Sequence, residues 1–479
     1  MRRAIAVTDF GTSSVKIYVV NGADGKIILS RSAGYRMYSD ARGYCELDLD
    51  EMWETAQRCM RELVLELPGD CRIELLNWSF FGASTVPVDA SGHALDRAIL
   101  CFDCRGAEEA EDINAAVGKE RYIQITGGEC DPSSMTARIL WYRKHRPEIA
   151  EKAAAYWTCE QFVLAKMGFS GISEYTMASK TEMLDDRTAQ WSEEILGAAG
   201  IKQDQMGIVV RPEQCIGTTD HYGDVPLPES VKVLPGLHDA IAGFLGAGLY
   251  KGKKGLLAEV TGTFDHVGML TEHYINCQEL YPGEEIWSSM APGEDSSACI
   301  ACYPVSGALL EWFMREMASG TAYEELWQEC DLNEPSGIDI CPEFHLGNGR
   351  ISSLCINSKK PAIFQGIIEA LSFETRRCIE VCEKISDSPM ERVRICGGEA
   401  RADIWTQFRA DITGKIYELP EVLDCSMLGA AIAGAVSLDI HHGYADAVEH
   451  MVRIEKYFYP DPVRQKKYEQ KYETYRKNL

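Results

Sequence analysis

The sequence predicts an α/β protein of two domains built on one plan, and three observations carry this prediction. The chain has 479 residues, which at about 100–200 residues per domain allows two to four domains. The stretch "AVTDFGTSSV" (6–15) resembles "AEVTGTFDHV" (258–267), each with Gly-Thr after a short β-like run. The Gly- and Lys-rich "YKGKKG" (250–255) lies between them as a candidate boundary. We therefore expect domains at residues 1–247 and 248–479; the alternative is chance recurrence of a glycine turn.

Strands and helices alternate along the first half. Strand-like stretches are expected at residues 5–7, 15–20, 26–30, 72–89, 171–176 and 183–188, and helices at 50–67, 108–117, 136–145, 148–167 and 192–200. Residues 231–249 predict a short strand, a Pro-Gly turn and a helix of small residues.

The second half is also predicted to contain both strands and helices. A long helix is expected at 361–384, and "RVRICGGEA" (392–400) predicts a strand that runs into a Gly-Gly turn. Helices are expected at 401–414 and 426–438, and the charged tail 461–479 is predicted to be a solvated helix.

Charge and composition exclude several classes of protein. The chain carries 48 basic against 73 acidic residues, a net charge of −25, so it lacks the basic footprint that nucleic-acid binding needs. An anionic ligand must therefore be bound by local backbone N–H groups, a few cations and a metal ion.

Targeting and membrane segments are not expected. The apolar run before Asp9 is shorter than the roughly 7–15 residues of an export signal. The longest apolar stretches, 240–249 and 427–436, are shorter than the roughly 18 residues of a membrane span. We therefore expect a cytoplasmic protein with no membrane partner, and a homodimer is the candidate assembly. Its 18 cysteines, including the CxxC pairs at 101/104 and 299/302, are interpreted as reduced thiols rather than a zinc site.

The first glycine turn is richer in hydroxyl groups than a hairpin needs. A two-residue Asn-Gly turn would close the hairpin, and neither a P-loop nor a GxGxxG pattern after a strand occurs in the chain. Asp9 could hold Mg²⁺, directly or through water. Phosphate could be bound by the hydroxyl groups, N–H groups and charge of Thr12, Ser13, Ser14 and Lys16. The second turn, residues 261–263, could hold the same polyphosphate from the other side.

Several stretches in this order resemble the FGGY carbohydrate kinases, of the actin-like ATPase (ribonuclease H-like) superfamily. The matching stretches are "DFGTSSVK" (9–16), "GYCELDLDEMW" (43–53), "DRAILCFDCR" (96–105), "GLHDAIAGFLGAG" (236–248), "TGTF" (261–264) and "GGEARADIWTQFRADITGKIY" (397–417). The resemblance implies two ribonuclease H-like domains flanking a central cleft. It also implies phosphorylation of a small-molecule sugar, with ATP and Mg²⁺ as cofactors.

The resemblance also implies roles for individual residues. Asp239 matches the general base that takes a proton from the sugar hydroxyl, and Asp9 matches the metal-side carboxylate. A helix N-cap is the structural alternative for Asp239. The second phosphate loop is Thr261, Gly262 and Thr263, and the adenosine segment is Gly397, Gly398 and Glu399. The adenosine segment could equally be a strand-to-helix turn, while Gln407 and Asp411 are interpreted as structural.

The stretch that the resemblance assigns to sugar binding differs in sequence from that of the common members of this family. Phe81-Gly82-Ala83-Ser84 is more similar to the aromatic-Gly-Val-Asp of rhamnulose and fuculose kinases than to the Gln-Met-His-Gly of xylulose and gluconate kinases. Ser84 replaces their aspartate. Asp103 is also expected to bind the sugar, and Cys101 replaces a tryptophan in its motif. His238 is a candidate hydrogen-bonding partner of the sugar, or else a packing histidine.

The expected substrate is a ketose, with a deoxy-ketose as one candidate, or a polyol. Three alternatives stay open: a kinase acting on a xylulose-like ketose or polyol, an actin-like or chaperone-like ATPase, and a non-catalytic sensor. Phosphate loops alone fit all of them. The stretch 81–105 and the segment around Asp239 favour the kinase, because a filament protein has no use for a sugar site.

Overall fold

The structure is a computed structural model that describes residues 1–262, 265–303, 306–344, 348–386 and 388–478. The strands of the first half are β1 (Arg2–Phe10), β2 (Ser14–Asn21), β3 (Ile27–Gly34), β4 (Met37–Ser39), β5 (Cys45–Leu47), β6 (Cys71–Phe80), β7 (Val86–Val88), β8 (Ala98–Ile99), β9 (Ala155–Trp157), β10 (Ile172–Glu174), β11 (Leu184–Asp185), β12 (Gln190–Trp191), β13 (Ile208–Val210), β14 (Gly217–Tyr222), β15 (Val225–Val233) and β16 (Leu237–His238). Its helices are α1 (Leu49–Leu65), α2 (Ala107–Val117), α3 (Lys119–Thr126), α4 (Met135–His145), α5 (Pro147–Ala150), α6 (Cys159–Lys166), α7 (Tyr175–Lys180), α8 (Glu193–Ala199) and α9 (Asp239–Gly246).

The second half begins at β17. Its strands are β17 (Leu256–Thr261), β18 (Asp265–Thr271), β19 (Ile286–Met290), β20 (Ser297–Tyr303), β21 (Asp339–Cys341), β22 (Arg350–Ser352), β23 (Arg392–Gly397), β24 (Ile416–Pro420) and β25 (Ile454–Phe458). Its helices are α10 (Cys277–Leu280), α11 (Ser306–Glu316), α12 (Tyr323–Glu329), α13 (Lys360–Ile385), α14 (Asp403–Thr413), α15 (Cys425–Ser437), α16 (Tyr444–Met451) and α17 (Pro462–Asn478). The division after residue 247, which stays a prediction, falls just after α9.

Two mixed sheets of the same pattern form the centres of the two halves. In the first, β1 pairs antiparallel with β2 on one side and parallel with β6 on the other, in the order β14-β15-β6-β1-β2-β3. In the second, β17 pairs antiparallel with β18 and parallel with β23, in the order β19-β20-β18-β17-β23-β24-β25. The two similar turns of the sequence therefore join equivalent strands in two equivalent sheets.

The helix expected over residues 148–167 is wrong in its middle. The structure has the short α5, then the strand β9, and only then α6. β9 pairs antiparallel with β7, so tertiary pairing overrides the helical pattern. α6 begins afresh at Thr158, whose hydroxyl accepts a hydrogen bond from the N–H of Gln161 in a capping box.

The two halves meet where α9 and α15 cross with their backbones in contact. A Cβ atom added at Gly429 of α15 would lie 1.8 Å from the carbonyl oxygen of Ala242, and one at Gly246 would lie 1.9 Å from that of Cys425. Only glycine leaves room for this approach at either position. Around the crossing, apolar side chains of α9 and α15 pack against Ile5, Val7 and others of the first sheet in one shared core.

No helix among the residues that the structure describes combines the length and the apolar character needed to cross a membrane.

We expect Gly429→Ala to lower the free energy of unfolding by about 3 kcal/mol, because the added methyl group meets backbone that cannot rotate away. Chemical denaturation measures the change. Gly197→Ala in α8 is the matched control, since a Cβ atom there meets no atom within 4 Å and should stabilise by at most about 1 kcal/mol. Equal stability of both variants would contradict the backbone contact.

Candidate active site

The first glycine loop is held in shape by Tyr35. The loop closes by a hydrogen bond of 3.0 Å from the N–H of Gly11 to the carbonyl oxygen of Ser14. The hydroxyl of Tyr35 donates to the carbonyl oxygen of Gly11 and lies 3.0 Å from that of Ser14, and the N–H of Tyr35 donates to Ser13 at 3.1 Å. Sequence analysis missed Tyr35, which no motif marks.

The loop presents unused hydrogen-bonding groups. In the described part of the chain, no acceptor lies within hydrogen-bonding distance of the N–H groups of Thr12 and Ser13, nor does a partner engage the hydroxyl groups of Thr12, Ser13 and Ser14. Such groups are costly to leave unpaired unless water or a ligand binds them. These groups are at least partly exposed and are available to water or to a ligand.

Asp9 and Asp239 face the same space from two elements. Asp9 is the penultimate residue of β1, in register with Lys16 of β2, and Asp239 is the first residue of α9. The N–H of Ala240 donates to Asp239 Oδ1 at 2.7 Å. Burial, then the charge of Asp9, raises the pKa of Asp239 to about 7. A carboxyl with that pKa can exchange a proton near neutral pH.

Two residues at the start of α15, the N-cap Asp424 and Ser426, reach the same space from the second half. The hydroxyl of Ser426 donates to Asp9 Oδ1 at 3.3 Å. Lys16 Nζ lies 2.8 Å from Asp424 Oδ1, so the lysine expected to bind phosphate is ion-paired across the two halves. Both side chains are about a third exposed or more, so this pair contributes little to stability.

The carboxylates of Asp9 and Asp239 are left without a balancing cation. In the described residues, no lysine or arginine nitrogen lies within 4.0 Å of either one. Burial raises the pKa of Asp9 as well. Two close, partly buried carboxylates are the hard oxygen ligands that Mg²⁺ prefers, so the donor set fits this ion.

The second loop lies beside the turn that follows β23. The hydroxyl of Thr261 donates to the carbonyl oxygen of Cys396 at 2.8 Å and accepts from the N–H of Glu399 at 3.3 Å. Gly397 has a φ of +97°, and a Cβ atom there would lie 2.0 Å from the carbonyl oxygen of Thr261. Gly398 is exposed, with open space around its Cα. Thr263 lies outside the described residues.

A buried arginine, Arg409, supports both the second glycine loop and the turn that follows β23. Arg409 Nη2 lies 3.0 Å from Asp265 Oδ2 and 2.5 Å from Glu399 Oε2, and its Nε lies 3.3 Å from Glu259 Oε1. Asp265 Oδ1 accepts the N–H of Gly262 at 3.1 Å. Breaking such a buried network by removing one partner is costly, so Arg409 holds the loop and the turn together.

The side chain of Glu399 is committed to this network. Its Oε1 accepts from Ser306 at 2.7 Å and its Oε2 from Arg409. Burial and the charge of Asp265 raise the pKa of Glu399 to about 8. Contact of Glu399 with an adenosine would therefore come from its backbone rather than its carboxylate.

Gly82 and His238 lie against each other on the sugar side. A Cβ atom at Gly82 would lie 2.4 Å from His238 Cδ2 and 2.8 Å from Lys180 Cγ. His238 Nε2 lies 3.4 Å from Asp239 Oδ1, and burial lowers the pKa of His238 well below its usual range. The imidazole is therefore neutral at pH 7 and can donate or accept one hydrogen bond beside the general-base candidate.

The other expected sugar ligands already have partners. The side chain of Phe81 is buried in the core of the first half. The hydroxyl of Ser84 accepts the N–H of Cys159 at 2.8 Å. Asp103 is buried with Arg105, which donates to both of its carboxylate oxygens at 2.7–2.9 Å.

Lys180 lies in the cleft and was missed by sequence analysis. It ends α7, and its Nζ is 5.3 Å from the ring centroid of Trp287 in the second half. Burial and then the charge of Lys180 lower the pKa values of His238 and His266, and the same charge opposes the rise in the pKa of Asp239. No carboxylate within the described ranges lies within 4.0 Å of Lys180 Nζ. Only the fold brings α7 to this place.

Gln407 and Asp411 lie away from the cleft, where they hold the C-terminal segment. Gln407 Nε2 donates to Asp411 Oδ1 at 2.8 Å and to the carbonyl oxygen of Tyr459 at 2.8 Å. Asp411 Oδ1 also accepts the N–H of Asp461 at 2.8 Å.

Comparison with known protein families decides the class of this site. Residues 4–246 match the N-terminal domain of the FGGY family of carbohydrate kinases, and residues 347–438 match its C-terminal domain. The chain belongs to the FGGY family of carbohydrate kinases. It is therefore an ATP-dependent carbohydrate kinase, and this membership decides between the kinase and an assembly ATPase in favour of the kinase.

Relatives with different substrates are about equally similar. The chain is 24% identical to a gluconokinase of Bacillus licheniformis (89% of this chain, 86% of the relative). It is 24% identical to a xylulose kinase of Bacillus subtilis strain 168 (98% and 95%) and 22% identical to an L-fuculokinase of Escherichia coli K12 (96% and 98%). Similarity therefore leaves the substrate branch open.

Solved structures agree on the fold. The gluconate kinase from Lactobacillus acidophilus superposes with a TM-score of 0.88 at 17% identity, covering 100% of this chain and 98% of that chain. The predicted fold class is confirmed: two ribonuclease H-like domains of the actin-like ATPase type flank a central cleft.

We expect kcat/KM for the sugar to depend on the ionised form of Asp239. Because the pKa of this carboxyl is about 7, the base is lost by protonation below that pH. kcat/KM should fall about tenfold per pH unit below pH 7 and level off above it. Initial rates at saturating Mg-ATP, with ATP affinity measured separately at each pH, test this. A flat profile between about pH 5.5 and 8 would exclude Asp239 as the titrating base.

Proposed function

We propose that the chain transfers the γ-phosphoryl group of ATP to a sugar hydroxyl, with Asp239 as the general base. The observation that carries the proposal is a partly buried carboxyl at the start of α9, whose pKa is raised by its burial and by the charge of Asp9. Asp239 Oδ2 accepts no hydrogen bond from the described residues and can receive the proton of an attacking hydroxyl. Attack forms the bond from sugar oxygen to phosphorus and breaks the bond to ADP.

The first glycine loop is proposed to bind the phosphates. Phosphoryl transfer needs positioning and charge neutralisation more than covalent chemistry. The open N–H groups of Thr12 and Ser13 and the hydroxyl groups of Thr12, Ser13 and Ser14 supply donors. Lys16 would add a positive charge once ATP competes with Asp424 for its ammonium group.

Thr261, Gly262 and Thr263 are proposed to bind the phosphates from the second half. Gly397 and Gly398 would lie along the adenosine, where the exposed backbone of Gly398 lets a ring approach. Asp9 would hold Mg²⁺, and bound Mg²⁺ would neutralise charge on the phosphate oxygens.

For the substrate, the leading candidate is a ketose, with a lean to a deoxy-ketose of the rhamnulose or fuculose type, or a polyol. The supporting features are the sequence Phe81-Gly82, the pair His238-Asp239 and the close packing of Gly82 on His238. This packing places the neutral imidazole next to the base, where it could hydrogen-bond a sugar hydroxyl. Because Ser84 and Asp103 bind neighbouring protein groups, they would act by shaping the pocket.

A sugar acid is a second candidate, and Lys180 favours it. The Lys180 ammonium group stands in the cleft near Asp239 without an ion pair in the described residues. A carboxylate on the substrate would supply that partner, and a charge-assisted hydrogen bond is worth about 1.5–3 kcal/mol. A relative that phosphorylates gluconate is consistent with this candidate.

We expect Asp239→Asn to reduce kcat by about 10²–10⁴-fold, because the amide cannot accept the hydroxyl proton. A coupled assay of ADP release with ketoses, aldoses, sugar acids and polyols measures the loss and identifies the acceptor. Asp220→Asn is the matched control, since Asp220 is exposed and pairs only with its neighbour His221 in the described residues. Full turnover of Asp239→Asn would refute the assigned base.

Lys180→Met separates the two substrate classes. If the substrate is a sugar acid, KM for that acid should rise at least about tenfold, as expected for loss of a charge-assisted hydrogen bond. KM for neutral ketoses and polyols should change much less. Lys232→Met, on the exposed face of β15, is the control. An equal change for acids and neutral sugars would reject the sugar acid.

A further inference from the structure

Three potential metal ligands meet outside the proposed active site. His441 lies in the loop after α15, while Asp446 and His450 lie one turn apart on α16. His441 Nδ1 is 3.5 Å from Asp446 Oδ2, and His450 Nδ1 is 3.3 Å from Asp446 Oδ1. In the described ranges, this is the one group of three such side chains whose ligand atoms all lie within 4.8 Å of one another.

A backbone carbonyl group of the first half fixes the orientation of the His441 ring. Its Nε2 lies 3.0 Å from the carbonyl oxygen of Gly22, in the turn between β2 and β3. Since a carbonyl only accepts, Nε2 carries the hydrogen and Nδ1 faces Asp446. A backbone carbonyl that sets the tautomer of a ligand histidine is the usual outer shell of a metal site.

The distances suit a tetrahedral ion. Metal bonds of about 2.0–2.2 Å at the tetrahedral angle place neighbouring ligand atoms roughly 3.4 Å apart. Each histidine nitrogen lies close to that distance from one oxygen of the Asp446 carboxylate, His441 Nδ1 at 3.5 Å from Oδ2 and His450 Nδ1 at 3.3 Å from Oδ1. His450 Nδ1 also lies 2.8 Å from the carbonyl oxygen of Asp446, a hydrogen bond that a metal on this nitrogen would replace. With 56% of its side chain exposed, His450 can turn to do so.

We propose that His441, Asp446 and His450 bind a divalent transition-metal ion of the zinc class. Two imidazole nitrogens and one carboxylate oxygen are ligands for Zn²⁺, Co²⁺ or Ni²⁺, whereas Mg²⁺ and Ca²⁺ prefer oxygen alone. The fourth position would be taken by water, because Asp446 and His450 are open to solvent.

The position of the site gives it a consequence for the fold. A Cβ atom at Gly22 would lie 2.5 Å from Ile440 Cδ1, so the β2–β3 turn is packed tightly on the segment that carries His441. The same hairpin carries Lys16 at its other end, and its ion-pair partner Asp424 immediately precedes α15. A bound ion would therefore cross-link α16 to the loop that carries His441 and packs against the first half. It would resist separation of the two halves at the end remote from the phosphate loop.

The test is titration of the untagged, chelator-treated full chain with Zn²⁺ by calorimetry, without nucleotide or Mg²⁺. We expect one ion per chain, and a rise in melting temperature with added Zn²⁺. His450→Ala should weaken binding at least about tenfold and abolish that rise. Asp446→Asn is the second variant, because Asn can keep the hydrogen bond from the N–H of His442. His221→Ala, at an exposed histidine beside an aspartate, is the matched control.

Cobalt distinguishes this site from the chain's cysteines. Co²⁺ bound by two histidines and a carboxylate gives visible d–d absorption without the near-ultraviolet charge transfer of a thiolate ligand. Equal Zn²⁺ affinity in His450→Ala, Asp446→Asn and the wild type would overturn the proposal. So would a thiolate spectrum that both variants retain, because it would assign the ion to cysteines.

Discussion

The crossing of α9 and α15 is the contact on which the rest of the molecule depends. Gly246 and Gly429 bring the two backbones together, closer than any side chain would allow. Because α9 starts at Asp239 and α15 starts beside Asp424 and Ser426, the crossing sets both helix starts against Asp9. The proposed base Asp239, the proposed metal ligand Asp9 and the second half are thus positioned by one contact between helices.

Electrostatics explains how an acidic chain can hold an anionic nucleotide. A net charge of −25 gives no general attraction for phosphate, so binding must come from local groups. The first loop offers open N–H and hydroxyl groups, and the unbalanced pair Asp9 and Asp239 fits a divalent cation. Behind the second loop, Arg409 is fully buried among three carboxylates, where it fixes the backbone.

Local sequence patterns predicted helices and strands well wherever the structure of a segment depends on that segment's own residues. The hairpin around Gly11, the long helix α13 and the small-residue helix α15 follow from periodicity and turn residues. Periodicity failed to predict the structure of residues 148–167, because the strand β9 within them forms only through its pairing with β7. No local pattern predicted the roles of Lys180, Tyr35 and Arg409. The reason is related, since each acts on residues far away in the sequence.

The sequence by itself determined the duplicated plan, the family and the identity of the residues around the two glycine loops. Its motifs record contacts within one turn or between neighbouring elements, which a linear pattern can carry. Only the tertiary structure decided which of these side chains face the cleft. It committed Glu399, Ser84 and Asp103 to internal partners and left Lys180 without an ion pair among the described residues, because burial and long-range packing assign each polar group its partner.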